Sequence, residues 1–434
     1  MDLLTFFTHL NQHLAVPTSF LLFGAAFYLT FSLKFIQFRS FTTFFKLITH
    51  GIKTKKKPDA KNSITPLAAL FTAMSTSLGI GTLIGPSVAI ITGGPGAMFW
   101  LIVYCIAASI LKYAEVTFAV HFRKKTEDGL ILGGPMEYLN EVAPWLGTWY
   151  AYATVILFGG WSSLQANVIA ETLAHESVPE WITGTFLAIL TFSILTGGAK
   201  RVGAFSSNIV PFMGTLYLIA SIIILSINRA GLPQAFNLIF SNAFSPAPVF
   251  GGFLGASLFS AIKSGIYKGA YITESGTGTA AIPHSMADVA HAKDQGLLAM
   301  VSVYVDTSLC LLSGLLVLTT DLWKIDYISN TVMYKIFNTS MPIFGRPIFV
   351  LTIVLFSIST VIGNSFNGRQ SFAAITKYRW MNIYYIFISA VTLWGAVTYV
   401  PLVWETIEVL LPLVIIPNII SLIILSIKYR KILI

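Results

Sequence analysis

Apolar residues fall in blocks of roughly twenty, separated by short polar stretches, along nearly the whole chain. An α-helix needs about 20 such residues to cross roughly 30 Å of hydrocarbon. On that measure the blocks predict eleven spans, at about 18–36, 65–91, 96–121, 147–173, 180–198, 207–227, 252–281, 297–319, 347–373, 383–400 and 405–427. The expected fold class is an all-α membrane protein with eleven transmembrane helices. The first block lacks a basic n-region and a small-residue cleavage site, so it reads as a retained helix and not a signal peptide. No loop is long enough for a soluble domain.

Two blocks are interrupted. The second contains Ser75-Thr76-Ser77-Leu78-Gly79-Ile80-Gly81-Thr82-Leu83-Ile84-Gly85-Pro86, and three glycines with a proline weaken a regular helix. The seventh contains Lys263-Ser264-Gly265-Ile266-Tyr267-Lys268-Gly269, followed by Glu274-Ser275-Gly276-Thr277-Gly278. A backbone group freed in hydrocarbon is costly unless it is buried in protein or lines a polar cavity, so both breaks are candidate binding sites. With the first span set aside, the breaks become the first and sixth of ten, a 5+5 pattern whose odd half-length makes the second half inverted. The predicted organisation is an N-terminal extra helix and basic loop at 1–64, a first five-helix repeat at 65–227, and a connection at 228–251. A second repeat at 252–427 and a tail at 428–434 complete it. The alternative is that these glycines only pack helices closely, as in the Gly81-x-x-x-Gly85 spacing.

Composition agrees with a membrane class. Of 434 residues 55% are hydrophobic and 10% charged, with mean hydropathy +0.76, against about 25% charged in soluble domains. The net charge of +9 does not imply nucleic acid, because the basic residues sit in short loops. Placing the N-terminus outside puts Lys34, Arg39, Lys46, Lys53, Lys55, Lys56, Lys57, Lys61, Arg123, Lys124, Lys125, Lys200 and Arg201 inside. Lys293, Arg369, Lys377, Arg379, Lys428, Arg430 and Lys431 also fall inside, leaving only Arg229, Lys324, Lys335 and Arg346 outside. That bias of 20 to 4 sets a cytoplasmic C-terminus. Cys105 and Cys310 lie inside apolar runs and suit neither a disulfide framework nor a metal site.

Ionisable residues inside spans are functional candidates by default. Lys112 and Glu115, three apart on one helix face, are expected to pair. Glu274, with Lys268 within reach, and Asp306 are candidates for coupling or gating. Gln165 and Asn167 offer amides in the fourth span, and Ser359, Thr360 and Asn364 offer polar groups in the ninth. Each hydroxyl alone is as readily explained by a bond to its own helix. Taken together these groups suit a small zwitterion and a monovalent cation. A half-helix N-terminus receives a carboxylate, and unwound carbonyls with hydroxyls receive Na⁺. One ion crossing about 100 mV releases about 2.3 kcal/mol, equivalent to a substrate gradient of roughly fifty-fold.

The stretch Gly93-Gly94-Pro95-Gly96-Ala97, then Phe99-Trp100, Lys112-Tyr113-Ala114-Glu115-Val116 and Gly133-Gly134-Pro135-Met136, resembles the alanine or glycine:cation symporters, the sodium:alanine symporter family. Gln165-Ala166-Asn167, the Gly265 to Gly278 region and Asp306-Thr307 are similar to its motifs as well. The resemblance implies a LeuT-like core behind one extra helix, importing small neutral amino acids with Na⁺ across the bacterial inner membrane. It implies a cation between the carbonyls of Ser75 and Leu78 and the group Phe356, Ser359 and Thr360. Substrate is then expected against Gly79, Ile80, Gly81 and Thr82, with Gln165, Asn167, Gly265 and Asn364 around it. The chain departs from the family at Gly79-Ile80-Gly81-Thr82, where the family has Gly-Thr-Gly-Asn. It departs again at Ile272-Thr273-Glu274-Ser275-Gly276, where the family has Ser-Asn-Glu-Ala-Gly. At Gly363-Asn364-Ser365 the family places a Trp where this chain has Asn364. Proton coupling through Glu274 or Asp306 stays open, as does a channel or a non-transporting sensor. No HExxH, GxSxG or Walker loop is present, so no catalytic residues and no cofactor are expected.

Overall fold

The computed structural model describes residues 3–40, 43, 47, 60–244, 258–320, 322–324, 330–398 and 400–434. The basic residues Lys46, Lys53, Lys55, Lys56 and Lys57 lie outside the described residues, as do 245–251 of the expected connection and 252–257 of the expected seventh span.

The principal helices are α1 (Leu3–Ser32), α2 (Pro66–Ser77), α3 (Ile80–Gly93), α4 (Ala97–His121), α5 (Pro144–Ala174), α6 (Glu180–Thr196) and α7 (Gly198–Ile227). They continue as α8 (Leu258–Thr273), α9 (Ala281–His284), α10 (Ala292–Thr319), α11 (Gly345–Thr376), α12 (Met381–Val397) and α13 (Val400–Lys428). A small antiparallel hairpin after α4 pairs Lys124 with Leu132 and Lys125 with Ile131. Among the described residues six helices are long and apolar enough to cross a membrane, seven if α2 and α3 form one bent span, and three shorter apolar helices accompany them. The protein is therefore a multi-pass membrane protein. Large apolar side chains stand exposed on α6, α7 and α12, among them Trp181, Ile189, Phe212, Ile219, Ile383 and Ile386. Such a surface suits lipid and not water.

The first interruption falls where the glycines predict it. Thr65 caps α2 by accepting the Ala68 amide at 3.2 Å, with Pro66 in the first turn, where its missing N–H is harmless. The helix stops at Ser77, and α3 restarts at Ile80 with a bend of 42°.

The second interruption occupies only the latter part of the expected stretch, at Glu274 to Gly278. Lys263 to Gly269 are regular helix within α8, and the chain leaves the helix only after Thr273. Gly265 and Gly269 are packing glycines, since a Cβ would stand 2.5 Å from the Ala97 carbonyl oxygen or 2.8 Å from Tyr104 Cδ1. They let α8 lie directly on α4, the close-approach role of small residues in membrane helices. The true break runs from Glu274 to Ala280, with left-handed φ at Glu274 (51°), Gly276 (97°) and Gly278 (82°), and is followed by the single turn α9. The first helix also differs from expectation, beginning at Leu3 and ending at Ser32.

The two interrupted segments meet beyond their breaks. Ile64, just before α2, forms a parallel bridge with Ala287, using Ile64 N–H to the Met286 carbonyl (3.0 Å) and Asp288 N–H to the Ile64 carbonyl (2.8 Å). Arg123 fastens the same segment by donating to the carbonyls of Ser285 (2.8 Å) and Ala287 (2.6 Å).

Candidate functional site

A narrow polar cavity lies between the first break and three other helices. Thr76, Ser77, Gly79 and Gly81 form one wall, and Trp161 and Gln165 of α5 face them. Tyr271, Ile272 and Glu274 close one side, and Thr360 and Asn364 of α11 the other. In this conformation it has room for little more than about one water, so a larger ligand requires the walls to part. Gly79 makes the close approach possible, because a Cβ there would stand 2.8 Å from Thr360 Oγ1 and 3.2 Å from Gln165 Nε2.

At the break the helix ends are exposed to the cavity. The last carbonyls of α2 and the first N–H groups of α3 have no intrahelical partners. Some are taken locally: the Met74 carbonyl accepts the Leu78 amide at 2.8 Å, and the Ser77 carbonyl accepts the Gly79 amide and Thr82 Oγ1, both at 3.0 Å. The N-terminus of α3 retains partial positive charge directed at the cavity.

Of the residues expected to hold a cation, Leu78, Phe356 and Thr360 are joined where α2 meets α11. Thr360 Oγ1 donates to the Phe356 carbonyl at 2.9 Å and reaches the Leu78 carbonyl at 3.4 Å. Ser359 Oγ is buried without a hydrogen-bond partner. Ser75 turns its hydroxyl to the Thr72 carbonyl (2.7 Å), and Gly363 allows α11 to pass, since a Cβ there would stand 2.4 Å from Ser75 Oγ.

The second break has its peptide groups occupied by side chains. Tyr104 OH donates to the Ser275 carbonyl (3.1 Å), Asn418 Nδ2 to the Gly276 carbonyl (2.9 Å) and Tyr150 OH to the Thr277 carbonyl (2.7 Å). Glu115 Oε1 accepts the Gly278 amide at 3.0 Å. Only Glu274, at the lip of this segment, reaches the cavity. Its carboxylate accepts Thr76 Oγ1 at 3.2 Å and also the Thr279 hydroxyl. The two breaks are thus unequal: the first presents free helix ends, and the second is a braced scaffold.

Several expected placements change. Lys112 does not pair with Glu115: Lys112 Nζ donates to Ser302 Oγ at 3.3 Å, while Glu115 takes Gly278 N–H and Asn418 Nδ2 (2.8 Å). Helical spacing put both on one face, but tertiary partners on α10 and α13 claim each. Lys268 does not reach Glu274 and lies instead over the rings of Tyr267 (5.7 Å) and Tyr271 (5.9 Å). Asn167 turns away from the cavity to the carbonyls of Gly395 (3.2 Å) and Thr398 (3.0 Å). Gly265 lies on the α4 contact and does not line the cavity. Asp306 is fully buried near Ser77 and Lys112, and neither carboxylate oxygen has a hydrogen-bond partner within 3.5 Å among the described residues. Ile80 and Thr82 are buried at the start of α3, where Thr82 also accepts Ser313 Oγ on its carbonyl at 2.9 Å.

Trp161 and Tyr271 line the cavity without having been singled out from the sequence. Trp161 precedes Gln165 by four residues, so it shares that helix face. The rings of Trp161 and Tyr271 meet edge to face at 6.2 Å.

Known proteins resemble the chain throughout its length. A model of the family described as Sodium:alanine symporter family matches residues 1–433. An uncharacterized transporter of Bacillus subtilis, YflA, is 31% identical over 99% of this chain and 92% of its own length. The sodium/alanine symporter AgcS of Methanococcus maripaludis is 32% identical over 94% of this chain and 91% of its own. Among solved structures, MhsT in complex with L-phenylalanine superposes with a TM-score of 0.60 at 16% identity, covering 86% of this chain and 90% of that one. At that identity the likeness is one of fold, the LeuT type.

Proposed function

The chain belongs to the sodium:alanine symporter family, and from that premise we propose that it carries small neutral amino acids of the alanine and glycine class into the cell with Na⁺ by alternating access. It is a transporter and not an enzyme. The observation that carries the reading is the break at Leu78 and Gly79, whose free helix ends face Thr360, Gln165 and Asn364. The α-carboxylate is received by the start of α3 at Ile80 and Gly81. Na⁺ is held by the carbonyls of Ser75, Leu78 and Phe356 with the hydroxyls of Ser359 and Thr360, a hard-oxygen set that fits a hard cation. Sodium is cargo here and no resident cofactor is involved.

The same reading keeps eleven spans, a 5+5 inverted repeat at 65–227 and 252–427, and an inner-membrane protein with its N-terminus outside and its C-terminus cytoplasmic. The closed cleft, narrower than an amino acid, suits an occluded point of an alternating-access cycle. The bridge between Ile64 and Ala287 then lies on the cytoplasmic side, where it must open for release.

Labelled alanine or glycine taken into proteoliposomes tests the reading. Accumulation that follows an imposed sodium gradient supports it, and equal uptake without the gradient removes the sodium claim. A second reading, proton coupling, is favoured by one observation, the two unpartnered oxygens of buried Asp306. It predicts accumulation under a proton gradient with sodium absent.

A further inference from the structure

The wall opposite the first break carries polar groups that no group among the described residues satisfies. Trp161 Nε1, Gln165 Oε1 and Asn364 Oδ1 are each buried without a hydrogen-bond partner, and all three residues line the cavity. Ser77 Oγ, on the break side of the cavity, is a fourth such atom. Buried polar groups in folded proteins are almost always paired, so three orphans on the wall facing the break point to a ligand that pairs them. We infer that the cargo is an amino acid whose side chain both donates and accepts a hydrogen bond, a hydroxyl or a carboxamide, read by Trp161, Gln165 and Asn364.

This inference rests on the amino-acid carrier reading above, keeps its small neutral cargo, and replaces alanine and glycine with a more polar side chain. The zwitterionic end of the cargo is met at the break, where the N–H groups opening α3 take the carboxylate. Its side chain must then face α5 and α11. There the indole N–H is a fixed donor, and the two amide oxygens are acceptors. A methyl group would leave all three dehydrated and unpaired, whereas a hydroxyl or carboxamide offers both an oxygen for the indole and a hydrogen for an amide. The match holds whichever way round each amide is set, since an amide presents a donor and an acceptor on the same end.

Charged side chains fit less well. No lysine or arginine lines the cavity to balance an acidic cargo. The one carboxylate at its edge, Glu274, is already engaged by Thr76 and Thr279. The aromatic pair Trp161 and Tyr271, with their rings 6.2 Å apart, closes the cavity beside the orphans and limits the side chain to a short one. Serine and asparagine are the smallest amino acids that meet these conditions.

The test is equilibrium binding to the purified full-length protein in sodium buffer, comparing serine, asparagine, alanine, glycine, lysine and aspartate. Serine or asparagine is expected to bind roughly tenfold or more tightly than alanine, the direction a site built to hydrogen-bond its ligand imposes. In Trp161→Phe, which keeps the ring and removes the donor, and in Gln165→Met and Asn364→Leu, that ratio is expected to fall to about threefold or less. Thermal unfolding of each variant confirms that it is folded, and Trp161→Phe is the mildest should the amide replacements not fold. Alanine or glycine binding as tightly as serine and asparagine overturns the inference and leaves the carrier reading standing. Lysine or aspartate binding most tightly, or a polar preference that survives in the folded variants, overturns it too. If no amino acid binds, both fall together.

Discussion

Thr76 and Glu274, 198 residues apart, join the two interrupted segments through a hydrogen bond of 3.2 Å from Thr76 Oγ1 to the carboxylate. Both residues are buried, and Thr279 holds the same carboxylate. Hydrogen bonds to a charged group contribute about 1.5–3 kcal/mol each. Glu274→Gln is therefore expected to lower the thermal midpoint of the protein in detergent while leaving sodium-driven accumulation in place. Uptake and counterflow measured side by side check it. Loss of accumulation with exchange intact is the outcome of proton coupling through Glu274.

Thr360→Ala removes a hydroxyl that bonds Phe356 and reaches Leu78, next to the orphaned Ser359 hydroxyl. The sodium concentration giving half-maximal uptake is expected to rise about tenfold, the effect of losing roughly 1.4 kcal/mol of ion binding. Thr360→Ser should restore most of it, because the hydroxyl and not the methyl is invoked. Sodium titrations of uptake for the three proteins decide this.

Gly276→Ala tests the braced break. Gly276 has φ 97°, and a Cβ would stand 2.2 Å from Leu22 Cδ2. The left-handed conformation alone costs a residue with a side chain about 1–2 kcal/mol. Gly214, on the exposed side of α7, has nothing within 4 Å of its Cβ position. Gly276→Ala is expected to lower the thermal midpoint and Gly214→Ala to leave it nearly unchanged, as read in unfolding scans of detergent-solubilised protein.

Arg123 fixes the segment after α9 by two short bonds to the carbonyls of Ser285 and Ala287, beside the Ile64 bridge. In Arg123→Ala a cysteine placed at Ala287, which is fully buried, is expected to react several-fold faster with a water-soluble thiol reagent. The native Cys105 and Cys310 are both buried and keep the background low. Unchanged reactivity at that position would show that Arg123 does not hold the segment closed.

The first break was legible because its cause is local. Gly79 stands at the interruption, just before α3 begins at Ile80, and a Cβ there would crowd Thr360. The cation set Ser75, Leu78, Phe356, Ser359 and Thr360 is legible only through family resemblance, and the structure joins Thr360 to Leu78 and Phe356 within it. The second break is legible at Glu274 to Gly278 but not at Lys263 to Gly269, because glycine serves two ends. At Gly265 and Gly269 it packs α8 on α4, and only at Gly276 and Gly278 does it turn the chain, a distinction set by what lies opposite. Lys112 and Glu115 failed as a pair for the same reason, since Ser302 and Asn418 are remote in sequence. Trp161 went unnoticed because an aromatic in an apolar helix is ordinary, and only its unsatisfied N–H in the cavity marks it out.

The central claim is that one cargo molecule and sodium share the site at Gly79 and move together. Counting labelled sodium and labelled amino acid entering the same proteoliposomes tests this most directly. Each is expected to enter only when the other is present outside, in a fixed ratio, and Thr360→Ala is expected to weaken both. Amino-acid entry at full rate with no accompanying sodium would contradict it.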